Sequence, residues 1–135
     1  MSHRPRKRFG QNFLHDETVI ERILDQVNPQ PGQRLVEIGP GQGALTRGLL
    51  GRVGSMDAIE LDRDLIEPLQ RKLGTLGELH IHNADALQFD FAELRGGSES
   101  LRLVGNLPYN ISTPLLFHLL DQSYAITDMH FMLQK

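Results

Sequence analysis

The stretch EIGPGQG at residues 37–43 decides the fold class of this 135-residue chain. It lies between a short apolar strand and a predicted helix. Glycines at such a junction allow a tight turn and a close approach of a ligand to the backbone, and the helix start offers free N–H groups. The spacing Gly39-x-Gly41-x-x-Ala44 also satisfies the dinucleotide fingerprint. The loop therefore predicts an adenosine-containing cofactor, and it leaves open whether that cofactor is a nicotinamide dinucleotide; a plain glycine turn is the simpler alternative.

Strands alternate with helices along the chain. The apolar patterns predict strands over residues 34–38, 56–61, 79–83, 101–105 and 126–134, and helices over residues 16–27, 44–50, 63–73 and 113–122. Because this alternation is typical of parallel βαβ units, we expect an α/β fold with a doubly wound, mainly parallel sheet that binds its ligand at the carboxyl ends of the strands. The fifth strand runs to the end of the chain without a cover for its edge, so we expect a sheet truncated after about the fifth strand.

Composition restricts the class of protein further. Hydrophobic residues make up 39% of the chain and there are no cysteines, which excludes disulfide scaffolds, cysteine-ligated zinc, iron–sulfur clusters and cysteine nucleophiles. No apolar run approaches the roughly 18 residues that span a bilayer. His80 and His82 share one face of a strand, but two ligands without a third do not make a metal site. We therefore expect a globular, cytoplasmic protein that uses neither a membrane nor a metal.

Charge is distributed unevenly along the chain. The first ten residues carry Arg4, Arg6, Lys7 and Arg8 and no acid, a net charge of +4, whereas the remainder carries −7. A short basic arm on an acidic body predicts contacts with nucleic-acid phosphates. A solvated terminus is the alternative that the composition of the arm leaves open.

Two acids follow predicted strands at the same edge of the sheet. Glu60 ends the second strand, 21 residues after Gly39, where a carboxylate can accept hydrogen bonds from both ribose hydroxyls of a cofactor. Asp62, close by, is predicted to cap the helix that begins at Arg63. Asp85 follows the third strand and could accept a hydrogen bond from an adenine amino group, although an Asp at such a place is more often a turn or helix cap.

The tetrapeptide NLPY at residues 106–109 follows the predicted fourth strand. An adenine amino nitrogen is a poor nucleophile, because its lone pair is delocalised into the ring. An acceptor on the Asn106 side chain and a backbone carbonyl would hold its two hydrogens and favour a pyramidal nitrogen aimed at an electrophile. Tyr109 offers a face for stacking an extruded base, and Pro108 stiffens the loop. A proline-punctuated turn would explain the tetrapeptide alone, but not its occurrence with the glycine loop and Glu60.

With these motifs the sequence resembles the bacterial ribosomal RNA small-subunit adenine dimethyltransferases, which use S-adenosylmethionine. The resemblance covers nearly the whole chain and rests on residues 7–14, 37–41, 59–62, 83–86, 105–114 and 131–135. It implies a class I methyltransferase fold of Rossmann-like topology. In domain terms, residues 1–15 would form a basic arm with a cofactor-contacting segment. Residues 16–135 would form the N-terminal part of the catalytic domain, without the family's C-terminal strands and helical RNA-binding domain.

The resemblance also implies roles for single residues and a reaction. Asn12, Leu14, Gly39 and Gly41 would line the S-adenosylmethionine pocket, Glu60 would bind the ribose, Asp85 the adenine amino group, and Asn106 would lie between cofactor and target base beside Pro108 and Tyr109. The family converts two adjacent adenines, in a hairpin loop near the 3′ end of small-subunit rRNA, to N6,N6-dimethyladenine without a metal or a covalent intermediate. We expect a monomer whose partner is the immature small ribosomal subunit and whose role includes subunit maturation.

Three other functions would each fit part of these sequence features. A non-catalytic ribosome-assembly factor would bind immature small subunits without methyl transfer. Antibiotic-resistance methyltransferases that act on large-subunit rRNA share the fold and much of the motif. A nicotinamide-dependent oxidoreductase fits the glycine loop. However, the sequence shows no acid or base for hydride transfer, and residues 106–109 would then be unexplained.

Overall fold

A five-stranded parallel sheet forms the centre of the computed structural model, which describes residues 16–134. Strands β1 to β5 cover Arg34–Ile38, Ser55–Glu60, Glu78–Asn83, Leu101–Pro108 and Ile126–Gln134, and helices α1 to α5 cover Glu17–Val27, Ala44–Val53, Ile66–Leu73, Phe91–Arg95 and Tyr109–Leu120. The order across the sheet is β3-β2-β1-β4-β5, and every neighbouring pair is parallel. The predicted doubly wound α/β sheet is therefore confirmed, with its strand order reversing between β1 and β4.

Helices cover both faces of the sheet, and each face has its own core. Buried residues of α1, α2 and α3, such as Leu24, Leu49 and Leu69, form one cluster. Phe91 of α4 and Leu115 of α5 belong to the other. Because side chains alternate along a strand and both faces are buried, a strand in such a sheet reads as an almost continuous apolar run.

The boundaries of the first helix follow from local chemistry. Asp16 caps α1, since its carboxylate accepts hydrogen bonds from the backbone N–H groups of Thr18 and Val19. The helix ends at Asn28, whose φ of 48° places it in the left-handed region before Pro29. Both ends agree with the sequence prediction. No helix within residues 16–134 has the length and apolar character needed to cross a membrane.

The segment around NLPY differs from its prediction. The fourth strand was expected to end at Gly105, but β4 continues to Pro108 and pairs with β5 as far as Gln134. Helix α5 begins directly at Tyr109, not at Thr113, so Pro114 lies inside the helix and not in its first turn. Because Pro114 has no backbone N–H, the helix lacks one early hydrogen bond. Burial of Leu115 and Leu119, which pack in the core from the same helix, offsets this loss.

Two further helical segments refine the predicted pattern. The helix expected over residues 63–73 is divided into a 3-10 turn at Arg63–Leu65 and α3. Asp62 caps this turn as predicted, accepting a hydrogen bond from the Asp64 N–H at 3.0 Å. Helix α4, only five residues long, had no periodic signal in the sequence, and it is capped by Asp90.

Candidate active site

The carboxyl ends of four strands bring the predicted site residues to one edge of the sheet. Asp85 follows β3, Glu60 ends β2, the glycine loop follows β1, and Asn106 lies near the end of β4. From β3 to β4 the row spans three strand spacings of about 4.8 Å, or roughly 14 Å. The row crosses the point where the strand order reverses, which is where open α/β sheets bind their ligands.

The glycine loop, defined as residues 39–43, has the open conformation that a ligand would need. Gly39, Gly41 and Gly43 all have positive φ values, of 70°, 59° and 90°. The Gly39 N–H donates to the Ile59 carbonyl at 2.9 Å, which fixes the start of the loop against β2. A Cβ atom at Gly39 would project into open space with nothing within 4 Å, so the outer face of the loop is accessible to a ligand.

The glycine loop is supported from behind by α3. A Cβ atom at Gly43 would lie 2.6 Å from Cδ1 of Leu69 and 2.8 Å from Cδ1 of Leu73, both of which are buried. Lys72, on the same helix, donates from Nζ to the Gln42 carbonyl at 2.9 Å. The second strand–helix unit of the fold thus holds the loop in position.

Glu60 connects the glycine loop to the end of β2. Its Oε1 accepts a hydrogen bond from the Gly41 N–H at 3.1 Å, and its Oε2 accepts one from the Asp62 N–H at 2.9 Å. Burial raises the pKa of Glu60, while these two backbone donors oppose that rise. A carboxylate has about four acceptor positions, so Glu60 keeps capacity to accept from a ligand beyond its backbone donors. The geometry fits a ligand that offers two neighbouring hydroxyl groups.

A second acid, Glu37, lies behind the loop in the middle of the sheet. It is 1% exposed, and its Oε1 accepts a hydrogen bond at 2.5 Å from the hydroxyl of Thr46, which is fully buried in α2. Burial raises the pKa of Glu37 to about 8, the Thr46 hydroxyl lowers it, and the charge of Glu60 raises it again. Burial therefore favours the protonated, neutral form of the Glu37 side chain.

Asp85 begins the segment that follows β3. Its Oδ1 accepts a hydrogen bond from the Leu87 N–H at 2.9 Å, which is the turn-capping role that the sequence left open. Its Oδ2 accepts no hydrogen bond from the described residues, so the same side chain can also accept from a ligand. Asn83 fixes the start of this segment, because its Nδ2 donates to the carbonyls of Glu60 and Leu61 at 3.0 and 3.1 Å.

Asn106, Pro108 and Tyr109 occupy the junction of β4 and α5. Asn106 is 7% exposed and pairs with Met132 of β5. Tyr109 begins α5 and is 63% exposed, and its carbonyl accepts a hydrogen bond from the Ser112 hydroxyl at 2.8 Å. The junction thus combines an amide held at the strand end with an aromatic ring open to solvent.

Some predicted positions lie outside the described residues. Asn12, Leu14 and the basic residues Arg4, Arg6, Lys7 and Arg8 all precede residue 16. Among residues 16–134, no group of three or more His, Asp or Glu side chains could hold a metal ion. His80 instead lies 3.2 Å from Glu78, and His82 lies 2.7 Å from Asp57.

Sequence reasoning assigned no role to three residues that support the site. Glu37 was quoted only as part of the glycine motif, and Thr46 and Asn83 were not singled out. One signal was present for Glu37: an acid inside an otherwise apolar strand of a doubly covered sheet must have a hydrogen-bonding partner or a proton. The sequence holds no such signal for Asn83, since its partners are backbone carbonyls of the neighbouring strand end.

The strand order, the glycine loop after β1 and the acid that ends β2 define a class I methyltransferase fold of Rossmann-like topology. Solved structures share it. The 23S rRNA methyltransferase ErmE superposes with a TM-score of 0.69 at 30% sequence identity, over 84% of this chain and 45% of that one. A dimethyladenosine transferase from Plasmodium falciparum gives a TM-score of 0.74 at 24% identity, over 89% of this chain and 42% of that one.

Within that class, the chain belongs to the ribosomal RNA adenine dimethylase family, whose sequence model matches residues 2–135. It is 63% identical over 133 residues to the Ribosomal RNA small subunit methyltransferase A of Pseudomonas aeruginosa, and 61% identical over 135 residues to the protein of the same name from Methylococcus capsulatus. The matches cover 98% and 100% of this chain but 50% and 52% of those relatives. The chain thus spans about half their length, and the resemblance seen in the motifs is confirmed.

Proposed function

We propose that this chain carries the cofactor and target-base site of an enzyme that converts adenines of ribosomal RNA to N6,N6-dimethyladenine with S-adenosylmethionine. The observation that carries the proposal is the position of Asn106. It lies near the end of β4, one residue beyond the pairing of Gly105 with Ile38, and Ile38 directly precedes the glycine loop. An amide at this place can meet a base that approaches a cofactor held by the loop.

The residues at the sheet edge fit S-adenosylmethionine. Glu60 would accept the two ribose hydroxyls, Asp85 would accept from the adenine amino group, and Gly39 and Gly41 would contact the cofactor through the backbone. Asn12 and Leu14 would complete the pocket. The cofactor supplies an electrophilic methyl group on a positively charged sulfur. No metal takes part in this proposal.

The residues around Asn106 would prepare the adenine for attack. The Asn106 side-chain oxygen and a backbone carbonyl would accept the two hydrogens of N6, which favours a pyramidal nitrogen with its lone pair directed at the methyl group. Pro108 would stiffen the segment and so fix the backbone carbonyl and the Tyr109 ring relative to each other. Tyr109 would stack on the extruded base. Such stacking contributes about 1–3 kcal/mol per base.

The substrate we propose is small-subunit rRNA, at two adjacent adenines in a hairpin loop near its 3′ end. The relatives named for the small subunit are 57–63% identical to this chain, whereas ErmE, named for 23S rRNA, is 30% identical. Loop bases can be splayed out and taken into a pocket, which a paired base resists. We further propose that the protein acts in the cytoplasm as a monomer on immature small subunits and contributes to their maturation.

The first test is calorimetric titration of the 135-residue chain with S-adenosylmethionine and, in parallel, with NAD. Saturable binding of S-adenosylmethionine alone is expected, and binding of NAD alone would contradict the proposal. Transfer of a labelled methyl group to unmodified small subunits, compared with large subunits, then tests the substrate. The Glu60→Ala variant should lose transfer but keep subunit binding; a purely assembly-related function would be indicated if the unaltered protein bound subunits without any transfer.

Asn106 provides a sharper test of the mechanism. We expect Asn106→Ala to reduce methyl transfer by about 100-fold or more, since it removes an acceptor needed in the transition state, while cofactor affinity changes only a few-fold. Single-turnover transfer rates and calorimetric affinities measure the two effects separately. Equal losses in both would assign Asn106 to cofactor binding alone.

The basic arm is proposed to contact RNA phosphates through Arg4, Arg6, Lys7 and Arg8. Replacing all four by Gln should weaken RNA binding. It should also make the slope of log affinity against log salt less steep, by up to the amount expected for the loss of about four phosphate contacts. The measurement is RNA affinity over a range of salt concentrations, with Arg52→Gln on α2 as a control that removes one positive charge outside residues 4–8. An unchanged salt slope would show that the arm does not touch RNA.

A further inference from the structure

The segment that follows β3, residues 84–90, is here called the Asp85 loop. Its first end is fixed to β2, because Asn83 donates to the Glu60 and Leu61 carbonyls and the Ala84 N–H donates to the Glu60 carbonyl at 3.2 Å. Its interior is a turn in which the Gln88 N–H donates to the Asp85 carbonyl at 2.9 Å. Asp85 lies between this fixed end and the turn, and its Oδ1 accepts from the Leu87 N–H at 2.9 Å, so its position depends both on the first end and on how the far end holds the turn.

Helix α5 and the residues after it hold that far end. The His118 Nε2 lies 2.7 Å from the Phe89 carbonyl oxygen, and the Gln122 Nε2 lies 3.3 Å from the same oxygen. The Gln122 Oε1 also accepts a hydrogen bond from the Ala92 N–H at 3.0 Å, at the start of α4. One carbonyl of the loop thus receives two donors from a part of the chain 29 and 33 residues away.

The hydrogen-bond roles in this cluster are fixed by chemistry. A carbonyl oxygen only accepts, so the imidazole of His118 must carry a proton on Nε2. The Ala92 N–H must meet the oxygen of the Gln122 amide, which directs the amide nitrogen toward Phe89. The 3.1 Å separation between the Gln122 and His118 nitrogens is then the distance between two donors that share one acceptor.

Packing holds the inner side of the loop, where Ala84, Ala86, Leu87 and Phe89 are partly buried against the core of that sheet face, but it does not enclose the outer side. Asp85, Gln88 and Phe89 all line an open cavity of about 720 Å³, so the loop lacks a continuous core on that side. The Phe89 ring makes edge contacts with His82 and Phe91, at ring-centre distances of 5.4 and 4.9 Å. The ring is therefore held from two sides, while the backbone of the loop is held at the Phe89 carbonyl.

We infer that His118 and Gln122 are positioning residues that set how strongly the protein selects adenine in its cofactor, by fixing the loop that presents Asp85. The inference rests on the proposed function, since it requires Asp85 to accept a hydrogen bond from the 6-amino group of adenine. Without the two donors on the Phe89 carbonyl, the Asp85 carboxylate would sample positions out of reach of that group. Contacts at Glu60 and the glycine loop would remain.

The test uses two ligands that differ in one group: S-adenosylhomocysteine and its analogue with unsubstituted purine in place of adenine. The unaltered chain should bind the adenine ligand more tightly. His118→Leu should weaken the adenine ligand by about three- to tenfold, the effect of one lost or misplaced hydrogen bond, and change the purine ligand by less than about twofold. Gln122→Leu should act in the same direction. Calorimetry gives the six affinities, and thermal unfolding shows that each variant folds.

Three controls separate positioning from general damage. His118→Gln keeps an N–H donor and should retain most of the selectivity. His130→Leu makes the same substitution at a half-buried histidine of β5, whose Nε2 lies 3.2 Å from Asp128, and should leave the selectivity unchanged. In an Asp85→Ala background, His118→Leu should have no further effect on the ratio of the two affinities, because the two residues act through the same contact.

The outcomes distinguish this inference from the proposed function. If the unaltered chain fails to bind S-adenosylhomocysteine, both are overturned. If it binds both ligands equally, or if His118→Leu weakens both ligands equally or neither, the positioning role is overturned and the cofactor class stands. Loss of selectivity in His118→Leu, with retention in His118→Gln and His130→Leu, supports it.

Discussion

The glycine loop and the Asp85 loop lie on the same edge of the sheet, yet they are held by different means. In the glycine loop, three glycines set the backbone, Leu69 and Leu73 fill the space behind Gly43, and the carboxylate of Glu60 binds the loop from the next strand. The Asp85 loop borders an open cavity and is tied at Phe89 by His118 and Gln122. The glycine loop is shaped by its own residues and the packed core behind it, whereas the Asp85 loop combines one-sided packing of its apolar side chains with hydrogen bonds from a distant segment.

The difference teaches that the two ends of a proposed cofactor site can differ in tolerance to substitution. A packed loop responds to added volume, because the surrounding core cannot give way without cost. A loop held by hydrogen bonds responds to the loss of a donor, and each such loss costs less than a steric clash. Substitutions in the glycine loop should therefore affect stability most, and those around the Asp85 loop should affect it least.

At a fixed pH, the largest loss of stability is expected from Gly43→Ala. The alanine would be held in the left-handed backbone conformation, which costs about 1–2 kcal/mol. Its methyl group would also press against two buried leucines, so we expect the free energy of unfolding to fall by about 2–4 kcal/mol in total. Urea unfolding measures the change. Gly51→Ala is the matched control: it lies inside α2 with nothing within 4 Å of the added Cβ and should gain about 0.5–1 kcal/mol from helix propensity. Equal effects at both positions would contradict the packing argument.

A second effect concerns pH and Glu37. Because burial raises its pKa to about 8 from 4.5, the folded chain binds a proton that the unfolded chain releases between those values. The contribution of this proton to the free energy of unfolding is fully present below pH 4.5. It is lost as pH rises through about 8, at up to about 1.4 kcal/mol per pH unit. Glu37→Gln keeps an acceptor for Thr46 without a titrating proton, so its unfolding free energy should fall less steeply with pH.

The measurement is denaturant unfolding of both proteins from pH 5 to pH 8. The difference between Glu37→Gln and the unaltered chain should shift in favour of the variant as pH rises. Glu60, whose pKa is also raised by burial, is present in both proteins, so its own titration largely cancels and only its charge interaction with Glu37 enters the difference. A constant difference across the range would mean that Glu37 does not hold a proton in the folded chain.

The smallest effect is expected at Asn83, the last residue of β3, which fixes the start of the Asp85 loop. Asn83→Ala removes the two hydrogen bonds to the Glu60 and Leu61 carbonyls, and we expect a loss of about 1 kcal/mol in unfolding free energy, since Asn83 is exposed and water replaces part of the interaction. Gln26→Ala, at an exposed position of α1, is the control and should change stability by less than about 0.5 kcal/mol. If Asn83→Ala lowered the unfolding free energy by more than Gly43→Ala does, the ranking of the two loops would be reversed.

The sequence predicted some elements to the residue and others only in part. Strands β1 and β5 have the bounds that their apolar runs indicated, and Asp16 and Asp62 cap the segments expected of them. The junction of β4 and α5 was misplaced, because Pro108 and Pro114 suggested a loop and a helix start. In the structure β4 continues to Pro108 through its pairing with β5, and burial of Leu115 and Leu119 holds a helix that accommodates Pro114.

The sequence by itself determined the parallel α/β class, the glycine loop and the acids that follow the strands, because hydrophobic periodicity and strand-end motifs are local properties. Only the tertiary structure decided that burial raises the pKa of Glu37, that Glu60 holds the glycine loop, and that His118 and Gln122 bind the Phe89 carbonyl of the Asp85 loop. Those properties depend on burial and on hydrogen bonds between segments far apart in the chain, and neither is encoded in the spacing of neighbouring residues.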